Sequence, residues 1–232
     1  MTRPVIANWK MNFSLEEAIH FCKNAKETNY DSLIIAAPIL YLAYLHTNFP
    51  HLTFAAQDVS SISEPYGSFT GEISAKMLSD LGIKYCIVGH SERRKYNHES
   101  DTSTKAKAEL CIKHNIVPII CIGEEKKVRD NNQHIEYIKN QLLESLPKSN
   151  DFILAYEPLW SIGTGDIPSN AQLEEVFSLF ENIIAKPLAL VYGGSINSDN
   201  AGEIAKVSNI NGLLVGKSSL DIEELQKIIK AW

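Results

Sequence analysis

Eight short apolar runs, separated by helical patterns, most constrain how this chain can fold. Such runs, rich in β-branched residues, are typical of strands buried on both faces of a parallel sheet. A capping box of Ser14 and Glu17 predicts the start of the first helix, and an apolar stripe of Ala106, Leu110 and Ile112 predicts a later one. The predicted strands are residues 5–7, 33–37, 53–56, 85–88, 117–121, 152–156, 188–192 and 212–215.

The spacing of these strands favours a closed α/β barrel. Eight strands in 232 residues give 29 residues per unit, close to the ~30 of a βα repeat. No linker or composition shift divides the chain, so residues 1–232 are predicted to form a single (βα)8-barrel catalytic domain. An open, doubly wound sheet is the alternative, because the same alternation permits it.

Charge and cysteine content narrow the class of protein. The net charge of −6 argues against nucleic acid and anionic membranes as partners. The cysteines form no Cys-x-x-Cys pair and are predicted to be reduced thiols. There is no apolar leader at the start, and the longest apolar run is too short to span a bilayer, so a cytoplasmic protein is expected.

Polar residues directly after the strands are the candidate site, because barrel enzymes place their active sites at the carboxyl ends of the strands. Lys10 follows the first strand and would hold a phosphate or an oxyanion; the alternative is a surface lysine beside Trp9. His90 ends the fourth strand, before a helix that Ser91 is predicted to cap. The helix N-terminus would keep the imidazole neutral. The alternative is a structural histidine.

Glu157 follows the sixth predicted strand. Partial desolvation there would raise its basicity and suit it to act as a catalytic base. An apolar segment follows, bounded by the stiff Pro158 and the flexible Gly163 and Gly165, which predicts a lid that expels water. The alternative is an ordinary loop anchored by a buried Trp160.

Glycine turns follow the last two strands. The turns are Gly193-Gly194-Ser195 and Gly216-Lys217. Barrels often bind phosphate at these two places through backbone N–H groups. The alternative is that the glycines only form tight turns. The sequence has no phosphate loop, dinucleotide fingerprint, metal-ligand spacing or nucleophile elbow. The prediction is acid–base chemistry on a phosphorylated molecule, with no cofactor and no metal.

Several ordered blocks closely resemble the triosephosphate isomerase family across essentially the whole chain. They are residues 8–12 (Asn-Trp-Lys-Met-Asn), 69–72, 89–94 (Gly-His-Ser-Glu-Arg-Arg), 121–124, 155–158 with the lid to 165, and 192–195 (Tyr-Gly-Gly-Ser). The resemblance implies a TIM barrel that interconverts dihydroxyacetone phosphate and D-glyceraldehyde 3-phosphate in glycolysis and gluconeogenesis.

The resemblance also implies roles for individual residues. Glu157 would move a proton between neighbouring carbons while neutral His90 acts as the electrophile, which is the established arrangement in this family. Lys10 would stabilise negative charge, Asn8 would orient the substrate, and Glu92 would support the His90 and Lys10 region. Backbone donors to the phosphate would come from Gly163, Ser195, Gly216 and Lys217.

Some positions depart from the pattern that the family usually shows. Lys217 replaces a second glycine, Leu159 and Ser161 stand where valine and alanine are usual, and Asp166 replaces a basic residue. The chain is shorter than most members by roughly one helix, and the deletions are expected around helices 5 and 6.

The family is dimeric, which implies a homodimer here. Residues 57–72 show little helical pattern, and a connection that long is usually functional. By family likeness, Thr70 would reach toward Asn8 of the partner subunit; the alternative is a mobile surface flap. Two other functions stay open: a barrel that acts on a larger sugar phosphate or an indole precursor, and a non-enzymatic surface-binding barrel.

Overall fold

Eight parallel strands close into a barrel in the computed structural model, which describes residues 3–25 and 32–232. Each strand pairs with the next along the chain, and the last pairs with the first. This closure confirms the predicted fold class and excludes the open sheet. The strands are β1 (Val5–Asn8), β2 (Leu33–Ala36), β3 (Thr53–Ala56), β4 (Tyr85–Val88), β5 (Val117–Ile122), β6 (Ile153–Tyr156), β7 (Ala189–Tyr192) and β8 (Gly212–Val215).

Five predicted strands differ from the observed ones by one residue at one end. The first strand extends to Asn8 because its backbone stays in register with Ala36. The second stops before Ala37, because Pro38 follows and turns the chain into the next helix. The fifth gains Ile122, and the sixth and seventh each begin one residue later than predicted.

Helices connect the strands, and the first begins at the predicted capping box. The Ser14 hydroxyl accepts from the Glu17 backbone N–H, while the Glu17 carboxylate accepts from the Ser14 backbone N–H at 2.7 Å. The connections after β5 and β6, where deletions were expected, contain helices of 12 and 14 residues. The described helices are α1 (Leu15–Asn24), α2 (Ile39–Asn48), α3 (Ala75–Asp80), α4 (Ser91–Asn97), α5 (Asp101–Lys113), α6 (Lys126–Asp130), α7 (His134–Ser145), α8 (Asn170–Ile183), α9 (Ala201–Ile204) and α10 (Ile222–Ala231).

The helix predicted before β5 is present as α5, and Leu110 packs against the core, but the predicted apolar stripe is not the buried face of the helix. Ala106, Leu110 and Ile112 are only partly buried, whereas the buried face of the helix includes Lys107 and Cys111. Lys107 is buried because two carboxylates accept from its ammonium group. All four cysteines are buried and unpaired, as predicted. In the described parts of the chain, no helix is long and apolar enough to cross a membrane.

Alternate strand residues face the barrel interior and form a separate apolar cluster inside it. Cys121, Ala155 and Val191 belong to this cluster, as do Ile6 and Leu214. On each of these five strands, the inward-facing residues form what is called here the inward row of that strand. Two residues further along the chain, each inward row ends at the mouth of the barrel. The residues there are Asn8, Gly123, Glu157, Gly193 and Gly216.

Candidate active site

A cavity of about 600 Å³ opens at the carboxyl ends of the strands. It brings together every predicted site residue except Glu92, which lies beside it. Asn12, Ile162 and Leu214 also line the cavity. Asn12 lies in the block of residues 8–12 and Ile162 in the predicted lid, but no role was predicted for either, and Leu214 was not predicted to be part of the site. The predicted residues that line it are Asn8, Lys10, His90, Glu157, Gly163, Ser195, Gly216 and Lys217.

Glu157 and His90 form a buried pair at the base of this cavity. Glu157 is 3% exposed and His90 is 5% exposed. Glu157 Oε1 lies 3.1 Å from His90 Nε2, and Oε2 accepts from the Ser91 backbone N–H at 3.3 Å. Both carboxylate oxygens are therefore occupied, and the pair is held in one orientation.

The cap of α4 fixes the tautomer of His90. The N-cap is His90 itself, not Ser91 as predicted, because the imidazole Nδ1 accepts from the Glu92 backbone N–H at 3.2 Å. An Nδ1 that accepts leaves the proton of a neutral ring on Nε2. That N–H points at Glu157, so of the two neutral tautomers the geometry favours the one whose donor faces the cavity.

Burial and pairing act in opposite directions on the pKa values of the two groups. Burial raises the pKa of Glu157, but the attraction of His90, with the Ser91 N–H and Lys10, holds it below its ordinary value. Burial lowers the pKa of His90, but the charge of Glu157 raises it above its ordinary value. The predicted rise in the basicity of Glu157 and the predicted fall in the pKa of His90 are therefore wrong, because pairing outweighs burial.

Lys10 is held at the mouth by its backbone and its ammonium group. Its φ of +53° is unusual for a residue with a side chain. Asn8 Oδ1 accepts from the Lys10 N–H at 3.0 Å, and the Gln57 amide donates to the Lys10 carbonyl at 2.9 Å. The ammonium lies 2.7 Å from Glu92 Oε1. The Glu92 carboxylate therefore contacts Lys10, and the Glu92 backbone N–H orients His90.

Glycines at the ends of the inward rows leave space for Glu157. A Cβ on Gly193 would lie 3.0 Å from Glu157 Cγ, and a Cβ on Gly123 would lie 1.8 Å from the Glu157 carbonyl oxygen. A Cβ on Gly216 would contact only the Lys10 side chain, at 3.4 Å. The first two positions must therefore stay small for Glu157 to occupy its observed place. Strand alternation in the sequence could have identified them.

The predicted phosphate side of the cavity is formed by the turns after β7 and β8. Lys217 begins a short 3₁₀ helix (Lys217–Leu220), and it is not among the described residues with positive φ. Its side chain therefore adds no backbone strain at the position where the family usually has glycine. Ser195 lies opposite, and its backbone N–H donates to the Ser161 hydroxyl of the predicted lid at 3.2 Å.

A buried polar network anchors the start of the predicted lid. Glu124 is fully buried, and its carboxylate accepts from Arg129 at 2.7 Å and from the Trp160 indole at 3.0 Å. The Tyr156 hydroxyl, next to Glu157 in sequence, donates to the same carboxylate. Sequence spacing gave no signal for this network, because its members come from separate segments.

Comparisons with known proteins agree with this geometry. The family described as triosephosphate isomerase matches residues 3–232. Relatives named triosephosphate isomerase include those of Orientia tsutsugamushi (strain Boryong), 40% identical over 97% of this chain and 96% of that protein, and of Mycoplasma mobile, 38% identical over 97% and 98%. A crystal structure of triosephosphate isomerase from Bartonella henselae superposes with a TM-score of 0.87 at 29% identity, covering 99% of this chain and 98% of that one. The chain therefore belongs to the triosephosphate isomerase family.

Proposed function

We propose that Glu157, His90 and Lys10 catalyse the interconversion of dihydroxyacetone phosphate and D-glyceraldehyde 3-phosphate, the activity of this family, in glycolysis and gluconeogenesis. The observation that carries the proposal is the buried contact between Glu157 and His90 in a cavity that also contains Lys10. A carboxylate base, a neutral hydrogen-bond donor and a fixed cation are the groups that an enediolate intermediate requires.

The proton moves between neighbouring carbons of the substrate. Glu157 removes a carbon-bound proton, and the electron pair of that bond shifts toward the carbonyl oxygen to form an enediolate. The His90 Nε2–H donates to the substrate oxygens while charge develops on them, gives its proton to the former carbonyl oxygen and takes the proton of the neighbouring hydroxyl, so that the carbonyl can form on the other carbon. Glu157 then returns the proton to the adjacent carbon. The proton balance closes without a metal or a cofactor.

Substrate binding must separate Glu157 from its resting partners, because both of its carboxylate oxygens are occupied by His90 and Ser91. Once separated, Glu157 loses the groups that lower its pKa, so burial dominates and the pKa rises. His90 loses the charge that raises its own pKa, and burial then favours the neutral ring. The same displacement therefore makes a stronger base and a neutral donor.

Lys10, Asn8 and Glu92 support the charged substrate. The Lys10 ammonium would face the enediolate and the phosphate, where an oriented cation stabilises developing charge. Asn8, which is buried at the end of the inward row of β1, fixes the Lys10 backbone and can orient the substrate. Glu92 holds the Lys10 ammonium through a contact of 2.7 Å.

Backbone N–H groups would bind the phosphate. Gly163, Ser195, Gly216 and Lys217 all line the same cavity, which supports their convergence on one anion. Glycines at two of these positions allow close approach of the backbone to the phosphate.

A homodimer is part of the same proposal. The loop that contains Thr70 is exposed, and a second cavity of about 570 Å³ lies against its base and against α5. Glu99 lines this second cavity; among the described residues, its Oε2 is a buried polar atom with no hydrogen-bond partner. An acceptor left open in a cavity is what a donor from a partner's loop would satisfy.

Exposed apolar side chains also support a dimer interface on the face of the barrel that carries the Thr70 loop. Met11 is 97% exposed and Leu40 is 81% exposed, and Tyr66 and Phe69 are also exposed. They follow β1, β2 and β3, which are neighbours in the barrel, so they lie on one side of the molecule. A cluster of this kind marks a protein interface.

The dimer is tested by light scattering after size-exclusion chromatography. The chain should elute as a dimer, Thr70→Arg should shift it to a monomer, and Thr47→Arg at the far end of α2 should remain dimeric. A monomeric wild-type chain would contradict the proposal.

A cytoplasmic location also belongs to the proposed function. It is supported by the four unpaired cysteines, which suit a reducing compartment.

The activity is tested by a coupled assay of the purified protein with D-glyceraldehyde 3-phosphate. Rapid formation of dihydroxyacetone phosphate is expected. A folded protein, checked by circular dichroism, that forms none would refute the proposed function.

A further inference from the structure

Ser161 occupies a central place in the predicted lid, which comprises residues 158–165. Its side chain is fully buried, although Gly163 and Thr164 beside it are exposed. Its backbone N–H donates to the Pro158 carbonyl at 2.8 Å, and its carbonyl accepts from the Ser195 hydroxyl at 2.5 Å. The lid is therefore attached to the turn after β7 at this residue.

The Ser161 hydroxyl has no spare hydrogen-bonding capacity. It donates its single proton to the Asp166 carbonyl at 2.6 Å. It can then only accept, from the Ser195 backbone N–H at 3.2 Å and from the Tyr192 hydroxyl at 3.1 Å. One donor and two acceptor sites are all that a hydroxyl offers, and all three are used.

The glycine turn is shaped around this hydroxyl. A Cβ on Gly194 would lie 2.7 Å from Ser161 Oγ and 2.0 Å from the Tyr192 hydroxyl oxygen. The two hydroxyls therefore lie directly against the backbone of the turn, where a side chain would exclude them. An alanine at position 161, the usual family residue, would leave the Ser195 N–H and the Tyr192 hydroxyl without this acceptor.

We infer that Ser161 is a positioning residue whose hydroxyl occupies the Ser195 N–H and so competes with phosphate for this donor. This inference rests on the proposed function, in which the Ser195 N–H is a phosphate donor. A phosphate oxygen that takes this N–H displaces the Ser161 hydroxyl. The lid then loses one of its attachments to the turn at the moment when Gly163 is needed over the phosphate.

Freeing the Ser195 N–H should strengthen phosphate binding. The competing contact is one hydrogen bond between neutral groups, so its removal should tighten the dissociation constant about fivefold. The gain applies equally to bound substrate and transition state, so KM should fall by a similar factor while kcat stays within about twofold. A residue that only maintained the fold would not separate KM from kcat in this direction.

The test measures the affinity of inorganic phosphate by isothermal titration calorimetry for the wild-type chain, Ser161→Ala and Ser161→Cys. The cysteine variant places a larger sulfur at the same position, which leaves no cavity and accepts hydrogen bonds only weakly. Both variants should bind phosphate about fivefold more tightly than the wild type. The cysteine variant keeps the inference falsifiable if the alanine variant does not fold.

Thr164→Val is the matched control. The Thr164 hydroxyl donates to the Trp160 carbonyl, accepts from the Asp166 backbone N–H at 3.1 Å and does not contact Ser195. Its loss should leave phosphate affinity unchanged. Equal tightening in Thr164→Val would show that a looser lid is the cause and would overturn the inference, as would unchanged or weaker binding in both Ser161 variants.

Wild-type isomerase activity is assayed in parallel, so the two proposals can fail separately. An inactive wild type would refute the function, whereas the phosphate affinities test Ser161 alone.

Discussion

Replacing Gly193 by alanine tests whether the inward row of β7 sets the position of the proposed base. The new Cβ would lie 3.0 Å from Glu157 Cγ and 3.4 Å from both Leu214 Cδ2 and the Tyr156 carbonyl oxygen. The φ of Gly193 is not positive, so the substitution introduces contact without backbone strain. The Leu214 side chain and the Tyr156 backbone are packed in the barrel, so Glu157 is the group that must move.

The magnitude follows from the contact distance. Carbon atoms pack at about 3.5–4.0 Å, so Glu157 must shift by about 0.5–1 Å. Displacing a catalytic group by about 1 Å costs about 100-fold in rate. We therefore expect kcat to fall about 10- to 100-fold. Overpacking destabilises by about 1–3 kcal/mol, which lowers Tm by a few degrees and leaves the protein folded.

The assay is the coupled isomerase reaction, with Tm measured on the same preparation. Gly202→Ala in α9 is the control, because its Cβ would meet only the Ala231 carbonyl oxygen at an ordinary 3.8 Å. That variant should retain wild-type kcat. A folded Gly193→Ala protein with kcat within twofold of the wild type would refute the reasoning about space around Glu157.

Three further predictions concern charge. Glu157→Gln should lower the pKa of His90, because the charge that opposes the effect of burial is lost; an NMR titration that shows an unchanged or raised pKa would contradict this. Lys10→Met should lower kcat/KM by about 100- to 1,000-fold, because it removes an oriented cation. The variant should still fold, because the Glu92 carboxylate is half exposed and water can replace its lost partner. Lys217→Ala should leave KM within about twofold, because the proposed donor is its backbone N–H; a tenfold rise would assign the role to its ammonium group.

The pairing of Glu157 with His90 also makes folding stability depend on pH. The pKa of Glu157 is lowered in the folded state, so its contribution is present above the unfolded pKa and is lost as the pH falls through the folded pKa. The pKa of His90 is raised, so its contribution is present below the unfolded pKa and is lost as the pH rises through the folded pKa. The pair is therefore most stabilising at pH values above the unfolded-state pKa of the glutamate and below the unfolded-state pKa of the histidine.

Local pattern was sufficient for the barrel and for the positions of most candidate residues. Parallel strands buried on both faces leave continuous apolar runs, and polar residues at their ends meet at one edge of the barrel. Glu157, His90 and Lys10 could therefore be placed at the mouth from their order in the chain. The helix stripe failed at Lys107, because burial there depends on Asp58 and Glu99 from other segments.

The pKa directions and the lid contacts could not be predicted in the same way. The pKa of Glu157 depends on a 3.1 Å contact with His90, 67 residues away in the chain, which no spacing encodes. The Ser161 hydroxyl was recognisable as a departure from the family, but its link to Ser195 requires the folded turn. Distances between segments, rather than local preference, set these features.

The most direct test of the central claim is the turnover of D-glyceraldehyde 3-phosphate by the wild type and by Glu157→Ala, with inorganic phosphate binding measured for both. The account predicts that the variant binds phosphate with near wild-type affinity. Its kcat should fall by about 100- to 10,000-fold, which is the usual contribution of a positioned general base. A folded variant that turns over at the wild-type rate would contradict the assignment of Glu157 as the base.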